Sequence, residues 1–179
     1  VIGHASAAIL QPDAVAFLER NYPELVPNLL KVAYLHHEYS WMLCNREKYC
    51  RNDADHLEKK RTRLALSSPQ SGANLLYVNW ANEDGGYKRP TVTYMGTDAI
   101  TSVVSGQNHC TLIASAGGTK QLDKLDTEET LWSKVKLVHV DDKDFNDARD
   151  PEGEPLYRFV EIDDDQFRNL TRHKLKWNE

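Results

Sequence analysis

The stretch "PNLLKVAYLHHEYSWMLCN", Pro27 to Asn45, decides how the first third of the chain is read. Placed at 100° per residue, it resolves into two helical faces. Lys31, Glu38 and Asn45 fall on one line, while Leu29, Val32, Ala33 and Leu43 lie on the other side. Pro27 suits a first helical turn, so the periodicity predicts a helix over 27–45. His36 and Ser40 then fall among the apolar residues, and His37 aligns with Cys44 two turns on. A buried polar group without a partner costs about 1–3 kcal/mol, so these side chains demand partners.

Working outward, "QPDAVAFLER" predicts an earlier helix, with Pro12 and Asp13 in its first turn. "ADHLEKKRTRLAL" predicts a third, capped by Asn52 or Asp53, with acids early and bases late. At Ser67 the pattern changes. After the turn-rich "SSPQSGAN" come short runs of strand character: "NLLYVNW", "PTVTYMG", "AITSVV", "HCTLIAS", "LWSKVKLVHV" and "PLYRFVEI". Their short links favour antiparallel neighbours, since parallel pairs need crossovers of roughly a dozen residues or more. "DDDQFRNLTRHKL" closes as a short helix capped by Asp163, Asp164 or Asp165. The expected fold is α+β in a single domain, 1–179. N-terminal helices (1–66) pack on an antiparallel meander of five to six strands (67–179), with a short C-terminal helix.

At 179 residues the chain can bury a sizeable core without metal or disulfide. Apolar residues make up 40% and charged residues 27%, a globular composition. No apolar run approaches the roughly 20 residues of a membrane span. Cys44, Cys50 and Cys110 make an odd count, which argues against a disulfide framework and favours a reducing, cytoplasmic setting; one bridge plus a free thiol is the alternative. Asn169-Leu-Thr171 is a glycosylation sequon that matters only in a secreted chain. The net charge of −5 is uneven. Residues 46–63 carry seven Lys/Arg against four Asp/Glu, and 121–165 carry six against fifteen.

Four groups of residues invite a chemical reading. Cys44 or Cys50 with His109 or His139 would make a thiol nucleophile and its base. Cys44 falls near a predicted helix end, the wrong place for dipole activation, so packing is the better reading. His37, Cys44, Cys50 and His56 would make a zinc site, but no ligands are closely paired. The basic run with Lys59, Lys60, Arg61 and Arg63 could meet phosphates, although its bases fan around a helix and Asp53, Asp55 and Glu58 interrupt it. The acidic stretch His139–Glu154 places Asp142, Asp144, Asn146 and Asp150 at the first, third, fifth and ninth positions of a calcium loop. Its sixth position is Asp147 instead of Gly and its twelfth is Gly153 instead of Glu. Mg²⁺ held by Asp141 and Asp142 beside His139 is the other carboxylate option, and a solvated loop is the plain one.

Finally, "ANEDGGYKRP" reads as a projecting hairpin, with Trp80 at its base and Tyr87, Lys88 and Arg89 beside its tip, residue types that dominate interfaces. No P-loop, dinucleotide fingerprint, HExxH, G-x-S-x-G or paired CxxC is present. The leading expectation is therefore a non-catalytic domain that binds another protein through hairpin tips and segregated charged faces. The first alternative is a small hydrolase with a Cys/His or carboxylate–metal (Ca²⁺ or Mg²⁺) site at the helix–sheet boundary. The second is nucleic-acid binding through 46–63.

Overall fold

The computed structural model describes residues 7–33, 38–51, 54, 57, 61–83, 90–115, 120–140, 147–150, 153–158, 160 and 166–171. The first helix forms where the sequence places it: α1 spans Pro12–Asn21, with Asp13 in its first turn and Arg20 in its last. The Pro27–Asn45 stretch is not a helix. Val26–Asn28 make one 3-10 turn, Leu30 and Val32 stand in solvent, and Tyr39–Asn45 form strand β1. Ser40 is exposed near the strand's start, not buried on an apolar face. His36 and His37 lie outside the described residues.

β1 is misread for a physical reason. Met42 and Cys44 enter the core on one face of the sheet, Trp41 and Leu43 on the other. A strand buried on both faces shows no polar–apolar alternation, and an unbroken apolar run fits a helix as well as a strand.

Four further strands join it: β2 (Arg63–Leu66), β3 (Thr91–Tyr94), β4 (Cys110–Ser115) and β5 (Val135–Val138), in the order β3-β2-β4-β1-β5. β1 pairs antiparallel with both β4 and β5, while β2 pairs parallel with both β3 and β4. The sheet is mixed, which overturns the expected antiparallel meander. The cause lies in two segments expected to be strands. "NLLYVNW" belongs to α2 (Gly72–Glu83), and "AITSVV" is α3 (Ala99–Val104). These helices supply the crossovers that parallel pairing requires. Ala73, Leu76, Tyr77, Trp80 and Ala81 are buried at helical spacing, and Ser71 accepts a hydrogen bond from the Asn74 amide (3.2 Å) as a cap.

The third expected helix fails at its end, where Arg63–Leu66 is β2. Of "PLYRFVEI", the described residues show only an isolated bridge from Pro155 to Arg149. The terminal helix is short, α6 (Arg168–Thr171), and two unexpected helices precede it, α4 (Lys120–Thr127) and α5 (Glu129–Trp132).

The sheet is covered on both sides. α2 packs over one face with Leu64, Leu66, Cys110 and Leu112, and α1 packs against α2. α3, α4 and α6 supply Val103, Leu122, Leu125 and Leu170 to the other face, around Trp41 and Leu43. Right-handed crossovers account for this division. The chain moves one way from β2 to β3 and back past β2 from β3 to β4, so successive helices land on opposite faces.

Candidate functional site

That reversal marks one edge of the sheet. β2 and β4 lie side by side and parallel; β2 hands the chain to α2 on one face, and β4 precedes α4 on the other. The carboxyl ends of two such strands border the crevice where open α/β sheets bind ligands. The turn after β2, Ser67–Ser71, is held rigidly. Ser71 donates both its amide (3.1 Å) and its hydroxyl (2.7 Å) to the Ser68 carbonyl. The buried Asn74 side chain donates to the Pro69 carbonyl (2.8 Å) and accepts from the Tyr94 hydroxyl (3.0 Å). Tyr94, at the end of β3, is about half exposed beside this turn.

Because β1 runs antiparallel to β4, its first residues reach the same edge, with Tyr39 opposite Ser115. Glu38, just before β1, accepts a hydrogen bond from the Gln11 side chain. Gln11 in turn lies over the start of α2, where a Cβ added to Gly72 would fall 2.6 Å from its Oε1. Only glycine admits that approach without displacing Gln11. Trp41 packs edge-on against Phe167 (centroids 5.2 Å), and its buried indole N–H meets no acceptor among the described residues. Gln11, Glu38, Ser68, Ser71, Asn74 and Tyr94 thus gather polar groups around a packed floor.

A second polar cluster sits under α1. Asp13 is 6% exposed and its Oδ2 accepts from the Tyr157 hydroxyl (3.2 Å); Asn79 donates to the Asp13 carbonyl and to the Tyr157 hydroxyl, both at 3.3 Å. Burial raises the Asp13 carboxyl above its ordinary range, the Tyr157 bond opposes that, and nearby Glu38 adds to it. The Tyr157 phenol is raised as well, by burial first and then by the Asp13 charge. Among the described residues, Oδ1 of Asn79 has no hydrogen-bond partner. The cluster ties α1, α2 and the 153–158 segment together.

The residues singled out in the sequence scatter. Cys44 and Cys110 are register partners on β1 and β4, joined by a disulfide (Cα–Cα 4.0 Å). Cys44 therefore offers neither a thiolate nor a zinc ligand, and Cys50 is free and exposed. The His109 ring accepts the Arg63 amide at Nδ1 (3.2 Å), and His139 follows β5, half-buried. Among the described residues no three His, Cys, Asp or Glu side chains could share a metal ion. His37, His56, Asp142, Asp144 and Asn146 lie outside the described residues. Asp150 holds a local turn, accepting the Glu154 amide (2.8 Å).

Trp80 is 1% exposed, inside α2, and cannot present a surface; Tyr87, Lys88 and Arg89 lie outside the described residues. "ANEDGGYKRP" begins in the last turn of α2 and ends just before β3, and residues 84–89 between them lie outside the described residues. The Asn169 side-chain nitrogen, the atom a glycan would need, donates to the Asp126 carbonyl (2.7 Å). Sequence reasoning missed the Ser67–Asn74 edge. The signal available was "SSPQSGAN" itself, a Ser/Pro/Gly turn running directly into a helix cap.

No protein-family model and no curated protein matches the chain. Among solved structures it is similar to a probable amino-acid ABC transporter extracellular-binding protein from Bacillus subtilis: TM-score 0.42, 19% identity, covering 62% of this chain and 44% of that one. It is also similar to an ancestral cyclohexadienyl dehydratase: TM-score 0.40, 12% identity, covering 76% of this chain and 57% of that one. The chain spans about half the length of these two structures.

Proposed function

We propose that the chain is a non-catalytic binding domain whose ligand seat is the carboxyl edge of β2 and β4, formed by Ser67–Asn74, Tyr94 and the Gln11–Glu38 pair. The observation that carries this reading is the reversal of strand order at β2, with α2 and α4 leaving on opposite faces. Small polar molecules suit this edge better than a broad protein surface, because its polar groups are few and already held by short hydrogen bonds. Of the two candidate nucleophiles of the hydrolase alternative, Cys44 is held in the bridge and Cys50 stays a free, exposed thiol.

No helix among the described residues is long and apolar enough to cross a membrane. The buried Cys44–Cys110 bridge supports an oxidising compartment over the reducing one that the cysteine count favoured.

A thermal-shift screen of amino acids, small carboxylates and phosphate esters tests the reading. A bound ligand at one hundred times its Kd should stabilise the fold by about 2.7 kcal/mol. That protection should shrink in Asn74→Ala and Tyr94→Phe. Binders whose chemical-shift footprint avoids residues 67–74 and 94 would refute the placement, and turnover of any ligand would refute the non-catalytic part.

A further inference from the structure

The opposite edge of the sheet carries a different feature. Arg63 opens β2 and His109 precedes β4, and the two are knotted together. The His109 amide donates to the Arg63 carbonyl (2.9 Å), and the Arg63 amide donates to Nδ1 of His109 (3.2 Å). With Nδ1 acting as acceptor, the neutral ring carries its proton on Nε2. The Arg63 guanidinium reaches back to the carbonyls of Gln107 (2.8 Å) and Gly106 (3.5 Å), and among the described residues its other N–H groups meet no acceptor.

Lys48 arrives from a third direction, the turn that ends β1, where its amide donates to Oδ1 of Asn45 (3.1 Å). Its stem lies across Gly106: Cε is 3.6 Å from where a Cβ there would stand. Lys48, Arg63 and His109 therefore surround one short loop, 105–109.

Among the described residues, neither Lys48 nor Arg63 pairs with an acid, in a chain whose net charge is −5. The electrostatics register the imbalance: His109 is held below its ordinary value by partial burial first, then by the charges of Arg63 and Lys48. The neighbouring Arg46 guanidinium is turned inward onto the carbonyls of Trp132 (2.9 Å) and Asn169 (3.1 Å). Two cations and an imidazole around one loop suit a single anionic group.

We infer that Lys48, Arg63 and His109 form a seat for one phosphate-class dianion at the amino edge of β2 and β4, and that His109 takes up a proton as the anion binds. The seat is independent of the ligand edge proposed above, which lies at the other end of the same strands. Lys48 and Arg63 supply charge, and the Nε2–H that the neutral His109 ring already carries supplies a donor; the added proton goes to Nδ1, gives up the Arg63 amide bond there, and places a third positive charge that the anion stabilises. Binding and protonation are then reciprocal: the anion raises the His109 titration midpoint, and affinity rises as pH falls through it.

The test is an NMR titration of His109 in the whole chain, in low-salt buffer, with sulfate as a non-titrating dianion and inorganic phosphate as the second probe. The midpoint should rise by about one unit at saturating dianion, a tenfold gain in affinity across the titration. Chloride at equal ionic strength should move it much less. Lys48→Ala should raise the dianion-free midpoint and remove most of the dianion response, and its exposed side chain puts folding at little risk. Equal shifts from chloride and sulfate would show a screened surface patch and overturn the seat. So would an unchanged sulfate response in Lys48→Ala, or a single-stranded oligonucleotide that shifts His109 where both small dianions fail.

Discussion

Consider the chain with Cys44 and Cys110 both replaced by alanine and Cys50→Ala as the shared background, so that no thiol remains to exchange. The bridge closes a loop with a sequence separation of 66. Loop-closure entropy for that length comes to about 4 kcal/mol at 25 °C, taken entirely from the unfolded chain. Both cysteines are 0% exposed between α2 and the sheet, so truncating their side chains also removes some packing. In a domain of this size 1 kcal/mol moves the midpoint by about 2–4 °C, so the variant should melt roughly 8–16 °C lower.

The assay is thermal unfolding followed by circular dichroism, with and without reductant. Reductant should lower the melting temperature of the Cys50→Ala protein nearly to that of the triple variant, and should leave the triple variant unmoved. Thiol counting under denaturing, non-reducing conditions should find one free thiol in the parent chain. Three free thiols, or a melting temperature indifferent to reductant, would refute the bridge and with it the argument for an oxidising compartment.

Four further substitutions probe the packing. Asp13→Asn should stabilise the fold near neutral pH. A carboxyl raised by burial binds its proton more readily folded than unfolded, so stability falls as pH rises through the raised value. The advantage of Asn should shrink as pH drops and vanish below the ordinary 3.8; an advantage that grows toward acid would reverse the assignment. Gly106→Ala should cost about 1–2 kcal/mol, because φ is +75° there. Gly72→Ala should stay within about 1 kcal/mol, because only the tip of Gln11 must move and alanine is the better helix former; chemical denaturation compares the two. Trp41→Phe should cost less than about 1.5 kcal/mol, since the indole N–H it removes has no partner, and a loss above 3 would reveal one.

How much of this was legible in the sequence depends on what each segment buries. α1 was readable because it lies on α2 with one face in solvent, so its pattern has a period. β3, β4 and β5 were readable as short β-branched or apolar runs. α2 was not, because its run from Asn74 to Trp80 is apolar enough to pass for a buried strand. Its helical spacing appears only when Ala73 and Ala81 are counted as core. Once α2 and α3 are taken for strands, no crossover remains and the meander follows of necessity. The fold-class error is one misassignment propagated, and the candidate sites inherit it. The Ser67–Asn74 edge exists only where a parallel pair ends.

The same dependence explains the cationic seat. Lys48, Arg63 and His109 are spread over 62 positions and form no motif. They meet because β1 enters the sheet antiparallel to β4, which delivers the turn after Asn45 to the end where β2 and β4 begin. The Cys44–Cys110 bridge fixes that register one residue from the cluster: Cys44 precedes Asn45, whose side chain holds the Lys48 amide, and Cys110 follows His109. Reduction should therefore loosen the seat before it unfolds the chain. In the parent protein, reductant should lower the His109 midpoint response to sulfate at temperatures where circular dichroism still reports a folded sheet. A response that survives reduction unchanged would show that β-sheet hydrogen bonds alone hold Lys48 in place.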